Sequence, residues 1–378
     1  MKLPLFFCTS GFLVLSLLSA AASEIITVRL PEGALQPRTV SIADGSTAVV
    51  FLQGNPQASE VKLATLSSAG KLDAVTTLNT PATQAVAMGT VRGPSIAVGA
   101  QGVRHVLWHG KNGSAGGGKG SALFYTKAEV SRKISPPLDM LGTTTALDGG
   151  AAIAANVQGE VWIVWHALPV GKEGETERRV FVRHSSDNGA TFSEPWAIKG
   201  EDQGVCGCCG LAASTDATGA LYVLYRTAEQ TKQRGARFLR LPPKATGDTA
   251  PVLLQQDRWD LKACPMTTAA LLPDSGSVEA FWITDFKLQI FGQGLESIAP
   301  SSLKSTAMRN HPRLARKANG ETLLIWTEGA MWGKGGELIA QFFSANGKPT
   351  GEPLKQPLPT WSYGACATLP DGRFVVLY

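Results

Sequence analysis

The hydrophobic positions of this chain recur as one phrase. The sixteen residues from His311 to Trp326, HPRLARKANGETLLIW, hold a short apolar run, a polar turn closed by Gly320, and a second apolar run ending in an aromatic residue. The same phrase appears as QPRTVSIADGSTAVVF ending at Phe51, GPSIAVGAQGVRHVLW at Trp108, GAAIAANVQGEVWIVW at Trp165, GLAASTDATGALYVLY at Tyr225, TTAALLPDSGSVEAFW at Trp282 and YGACATLPDGRFVVLY at Tyr378. In all seven copies the turn glycine (Gly45, Gly102, Gly159, Gly219, Gly276, Gly320, Gly372) stands six residues before the closing aromatic. An interval kept that often marks an array of one repeated unit.

Each copy predicts two strands joined by a tight turn. Runs such as Val106 to Trp108, Tyr222 to Tyr225 and Leu323 to Trp326 are apolar at consecutive positions, the pattern of strands buried on both faces. Further β-rich runs lie between the copies, at Ala122 to Thr126, Arg179 to Arg183 and Glu337 to Phe343, and no long segment has helical periodicity. Three or four short strands per unit read as the blade of a β-propeller, so the expectation is an all-β propeller of seven blades, or six if one copy is irregular. The last copy ends after two strands, and Ile25 to Leu30 can supply its missing edge partner, closing the ring by pairing the chain's two ends. The aromatics that close each copy recur at blade period and belong to the core between blades, not to a platform for stacking bases or sugars.

The array makes 378 residues one domain, covering 23–378, in place of the two or three that length alone suggests. Residues 1–22 read as a secretory signal peptide: Lys2, the apolar run Leu3 to Leu18, then Ala20-Ala21-Ala22. A secreted or periplasmic protein is expected, with no membrane span after cleavage. A net charge of +5 without a basic block argues against nucleic acid as a partner. Gly113 to Lys119 (GSAGGGK) approaches a phosphate-loop pattern, but Gly120 replaces its Ser/Thr and no helix follows, so it reads as a loop.

Export bears on the cysteines. With Cys8 removed, five remain: Cys206, Cys208, Cys209, Cys264 and Cys366. An oxidising compartment permits disulfides, and an odd count leaves one sulfur over; Cys366, inside a predicted strand, is the candidate.

Strands of a blade alternate in direction, so starts of first strands and ends of second strands share the face around the propeller axis. Aligning the copies brings there Arg38, Cys208, Cys209, Cys264, His311, Arg313 and Tyr363 from first strands, and His109, His166, Arg226 and Glu328 from second strands, with Asp285 just beyond. A polar cluster on a rigid scaffold is the default binding site. Its soft part is Cys206, Cys208, Cys209 and Cys264 with His109, His166 and His311, a thiolate and imidazole set suited to copper or zinc. The same cysteines also read as a disulfide staple between neighbouring blades, including a Cys208–Cys209 bridge.

Two segments carry a family resemblance. Ser185 to Phe192 (SSDNGATF) fits S-x-D-x-G-x-T-[FW] and resembles the Asp-box of sialidases and related BNR-repeat propellers, which in that family is a structural turn between a blade's third and fourth strands. The last copy, from Tyr363 onward, resembles the closing segment of sialidases. The resemblance implies Tyr363 as nucleophile of a retaining glycosidase and Arg38, Arg226 and Arg313 as a clamp for the substrate's carboxylate. The family's Tyr/Phe-Arg-Ile-Pro signature is replaced by Gln36-Pro37-Arg38-Thr39, and no acid is assigned to either of the family's acidic roles. The reading is therefore an exported sialidase-like propeller with degenerate chemistry, binding a metal ion or an acidic glycan at a Cys/His/Arg-lined mouth. Two alternatives stay open: an active exo-sialidase using Tyr363, and a disulfide-stapled scaffold for a protein partner.

Overall fold

The computed structural model describes residues 25–111, 121–229, 233–274, 277–292 and 308–378. The expected signal peptide, the Gly113 to Lys119 loop and Gly276 lie outside the described residues. Among those described, no helix is long and apolar enough to cross a membrane.

The strands form seven sheets, each a radial blade, as expected of a β-propeller. Blade 1 runs outward through Ala34–Ser41, Thr47–Gln53, Glu60–Leu66 and Thr76–Thr77. Blade 2 begins with Ser95–Val98, blade 3 with Ala151–Ala155 and blade 4 with Ala212–Thr215. Blade 5 begins with Ala270–Asp274, blade 6 with Arg309–Arg316 and blade 7 with Ala365–Thr368. Consecutive first strands are neighbours round the ring, and the first strand of blade 7 packs against those of blades 6 and 1. Blade 7 takes its outer strand from the other end of the chain: Ile25–Val28 pairs with Phe374–Leu377, in parallel.

The repeated phrase explains the blade. At the turn between first and second strands, six of the seven repeat glycines are described and all have φ between +72° and +90°, a region costly for residues with a Cβ. Second strands lie inside the sheet stack, and their closing aromatics Phe51, Trp108, Trp165, Tyr225, Trp282 and Trp326 are buried between blades. First strands face the axis and are rich in alanine (Ala97, Ala152, Ala154, Ala212, Ala270, Ala315, Ala365, Ala367). Small side chains there leave a central cavity of about 810 Å³.

The SSDNGATF segment is the turn between the third strand of blade 3, Arg179–Ser185, and its fourth, Trp196–Ala197. Asp187 accepts the main-chain N–H groups of Ala190 (3.0 Å) and Thr191 (2.8 Å), while Asn188 (φ 56°) and Gly189 (φ 73°) turn the chain back. Asn188 Oδ1 also meets His105 Nε2 of blade 2 at 3.1 Å, so the turn stitches two blades together.

Candidate functional site

Blades 1 and 6 start alike, and this sets the geometry at the axis. In each, a residue in the left-handed region precedes Pro-Arg: Gln36 (φ 54°) before Pro37-Arg38, and His311 (φ 53°) before Pro312-Arg313. The proline lacks the N–H a regular ladder would use, so the strand bulges, between Leu35 and Arg38 and between Asn310 and Arg313. The bulges flank blade 7 and bring Arg38 and Arg313 to its Tyr363. Arg38 Nε donates to the Tyr363 hydroxyl at 3.2 Å, and the guanidinium carbons of Arg38 and Arg313 lie 5.5 and 5.7 Å from the Tyr363 ring centre. His311 stacks on the same ring at 4.9 Å.

This group is sealed on the side where first strands begin. Tyr363 and Gln36 are 0% exposed and His311 is 1% exposed. Gly93 lies directly over the tyrosine, where a Cβ would overlap its hydroxyl. Gln36 Nε2 fastens two loops over the axis by donating to the carbonyls of Ala87 (2.6 Å) and Trp361 (2.7 Å). The central cavity therefore begins below the tyrosine, at Arg38, Arg313 and Cys366, and runs down the first strands to Ala43, Gln101, Gly102, Val157 and Pro273 at the turn face. Neither Tyr363 nor any of the histidines or Cys206–Cys264 sulfurs lines it. The expected mouth lined by Cys, His and Arg is thus corrected: arginine reaches the cavity, while the imidazoles of His109, His166 and His311 and the sulfurs of Cys206 and Cys209 are buried away from it.

Along the cavity wall the charged side chains are Arg38, Arg313 and Arg316, with no aspartate or glutamate among the lining residues described. Arg316 is neutralised by Glu279 at 2.6 Å. Arg38 and Arg313 have no such partner among the described residues: Arg313 Nη1 donates to the carbonyls of Pro312 (2.6 Å) and Ala269 (3.3 Å), and its Nε and Nη2 make no hydrogen bond of good geometry. Burial, then the nearby charge of Arg38, lowers the Arg313 pKa to about 9. Two like charges held this close, partly desolvated, are poised for an anion.

Arg226 does not join them. Its guanidinium is buried between blades 4 and 5, donating to Thr267 Oγ1 at 2.9 Å and to the carbonyls of Arg234 and Ile283, and lying over Trp259 at 5.1 Å. Glu328 is engaged by Arg309 at 3.2 Å, and exposed Asp285 by Lys287 at 2.9 Å. No carboxylate among the described residues hydrogen-bonds the Tyr363 hydroxyl.

The cysteines assemble separately, where the chain enters blades 4 and 5. The sulfurs of Cys206, Cys208 and Cys209 lie within 4.8 Å of one another, and Cys208 is disulfide-bonded to Cys264, so the Cys208–Cys209 bridge does not form. A disulfide therefore ties the loops entering blades 4 and 5, while Cys206, Cys209 and Cys366 are buried and free. The histidines stay out of this cluster. His166 Nε2 contacts the Cys209 carbonyl at 2.9 Å, and burial followed by the charge of Arg178 lowers its pKa to about 4. His109 is held at about 3 by burial and then by Arg92. His311 Nδ1 is 2.7 Å from Thr327 Oγ1.

Sequence reading missed Gln36 and Gly93, which close the face. Gln36 and Gly93 each open a copy of the repeated phrase, where QPR, GPS and HPR run parallel, and that shared position was their sequence signal.

No family model and no curated protein matches the chain. Among solved structures, the lectin of the fungus Aleuria aurantia, a six-bladed β-propeller, aligns with 89% of this chain and 99% of its own at 11% identity and a TM-score of 0.50. A Hadza microbial sialidase aligns with 85% of this chain and 71% of its own at 13% identity (TM-score 0.49). Trypanosoma rangeli sialidase aligns with 89% of this chain and 59% of its own at 10% identity (TM-score 0.48). These likenesses are of fold: the chain is a β-propeller with sialidases among its structural neighbours.

Proposed function

We propose that this chain is an exported, non-hydrolytic binding propeller that takes an anionic ligand, of the acidic-sugar class, into its central cavity from the turn face. The carrying observation is the pair Arg38 and Arg313 at the closed end of a cavity whose described wall has no acidic residue. The wall below them mixes alanine with the hydroxyls of Thr39, Ser95, Ser214 and Thr368, a surface suited to both the C–H and O–H groups of a sugar. Hydrolysis through Tyr363 is disfavoured on two counts. A nucleophile must reach the anomeric carbon, and this phenol is wholly buried; it must also lose its proton to a base, and its hydroxyl is met by Arg38.

Calorimetric titration with an acidic monosaccharide and its neutral counterpart tests the reading. The acidic sugar alone is expected to bind, and Arg38→Met or Arg313→Met should each weaken it at least ~10-fold, the value of one charge-assisted contact. Equal binding of both sugars would overturn the anion reading. Turnover of an acidic-sugar aryl glycoside that disappears in Tyr363→Phe would replace it with the hydrolase.

A further inference from the structure

The sulfur cluster lies outside the cavity and is unused by the function just proposed. Cys206-Gly207-Cys208-Cys209 contains a C-x-x-C pair, Cys206 and Cys209, whose sulfurs are 3.2 Å apart, with Cys206 donating to Cys209. Cys206 Sγ also lies 3.3 Å from Cys208 Sγ, one end of the disulfide to Cys264. A dithiol is thus in contact with a disulfide through one shared sulfur. Access is graded, with Cys206 and Cys209 buried, Cys208 half-buried and Cys264 exposed.

We propose that these four sulfurs form an intramolecular thiol–disulfide exchange centre, in which the Cys206/Cys209 dithiol reduces the Cys208–Cys264 disulfide and delivers a free thiol to the surface at Cys264. Cys209, having released its own proton to solvent, accepts that of Cys206, and the Cys206 sulfur attacks Cys208; the Cys206–Cys208 bond forms, Cys208–Cys264 breaks, and Cys264 leaves as a thiolate. The proton held by Cys209 passes through solvent to Cys264. The Cys209 thiolate then attacks Cys206, expelling Cys208, which takes up a proton. Two thiols and one disulfide enter and leave, so no outside oxidant or reductant is consumed.

The surroundings set the resting protonation of the pair, with the thiolate at Cys209 and the proton on Cys206. Burial alone would raise the Cys209 thiol, but its hydrogen bond from Cys206 and the charge of Arg226 outweigh burial and bring it to about 7, while the bond to Cys209 and burial push Cys206 well up. Gly207 permits the tight path of the loop: a Cβ there would stand 2.9 Å from Arg178 Nε.

The test uses the full exported chain isolated with one disulfide, incubated in thiol-free buffer near neutral pH, quenched in acid, alkylated and mapped by mass spectrometry. Two one-disulfide isomers are expected, Cys208–Cys264 and Cys206–Cys209, interconverting at a rate independent of protein concentration. Cys209→Ser should hold the first pairing or stop at Cys206–Cys208, and Cys264→Ser should trap Cys206–Cys209. Three results would each overturn the proposal: Cys208–Cys264 as the sole pairing throughout, a Cys206–Cys209 bond found only in molecules that keep Cys208–Cys264, or stoichiometric copper or zinc shielding the sulfurs from alkylation.

Discussion

Arg226 separates a structural arginine from a ligand-binding one, and Arg226→Met puts the distinction to a test. The side chain is 4% exposed and its guanidinium serves three acceptors: Thr267 Oγ1 and the carbonyls of Arg234 and Ile283. Methionine keeps much of the packing over Trp259 but leaves the two carbonyls without this donor. Charge-assisted bonds contribute roughly 1.5–3 kcal/mol each, offset in part by relief from burying the charge, so a net loss of about 3 kcal/mol is expected. At roughly 2 °C per kcal/mol for a large domain, the melting temperature should fall by about 6 °C. Differential scanning calorimetry alongside ligand titration reads both effects. Binding of an acidic sugar below the transition should persist. Unchanged stability together with abolished binding would refute the assignment and return Arg226 to a three-arginine clamp.

Other consequences follow from the same contacts. Gly93→Ala places a methyl group against the Tyr363 hydroxyl and should cost about 1–3 kcal/mol by overpacking; adding Tyr363→Phe removes the obstructing oxygen, so a denaturant double-mutant cycle should show recovery of part of that loss. His105, His109 and His166 have folded pKa values lowered to about 4, 3 and 4, chiefly by burial, against 6.5 for the free side chain. Between those limits the unfolded chain holds more protons than the folded one, so stability should fall as pH drops below 6.5, by up to about 1.4 kcal/mol per pH unit for each histidine. Urea midpoints measured from pH 7 to 4 check this, and His109→Gln should flatten the slope. Trp165→Ala removes a side chain buried between blades whose Nε1 donates to Thr144 Oγ1 at 3.1 Å, and should cost about 3–5 kcal/mol in the same assay.

The fold was legible because its determinants are local and repeated. A glycine at positive φ, a buried second strand and an aromatic between blades recur at a fixed spacing, and each copy specifies its own blade. Alignment of the copies also brought Arg38, Arg313, His311 and Tyr363 to one place, because topology alone sets which strand ends share a face. It could not tell whether that face is open. Closure depends on Gln36 reaching two loops and on the absence of a Cβ at Gly93, long-range contacts that their shared first position in the phrase does not specify. The fate of Arg226 was hidden for a similar reason, since two of its three acceptors are main-chain carbonyls, which every residue carries. Among the cysteines, the choice of partner rested on the relative placement of two loops and not on their spacing in the chain.

An anion seated between Arg38 and Arg313 is the centre of the proposed function, and anomalous diffraction from a crystal soaked in bromide would locate it directly. A bromide peak within contact distance of both guanidinium groups, lost in Arg313→Met, is the expected result. A central cavity free of bromide while other sites on the same molecule fill would contradict it.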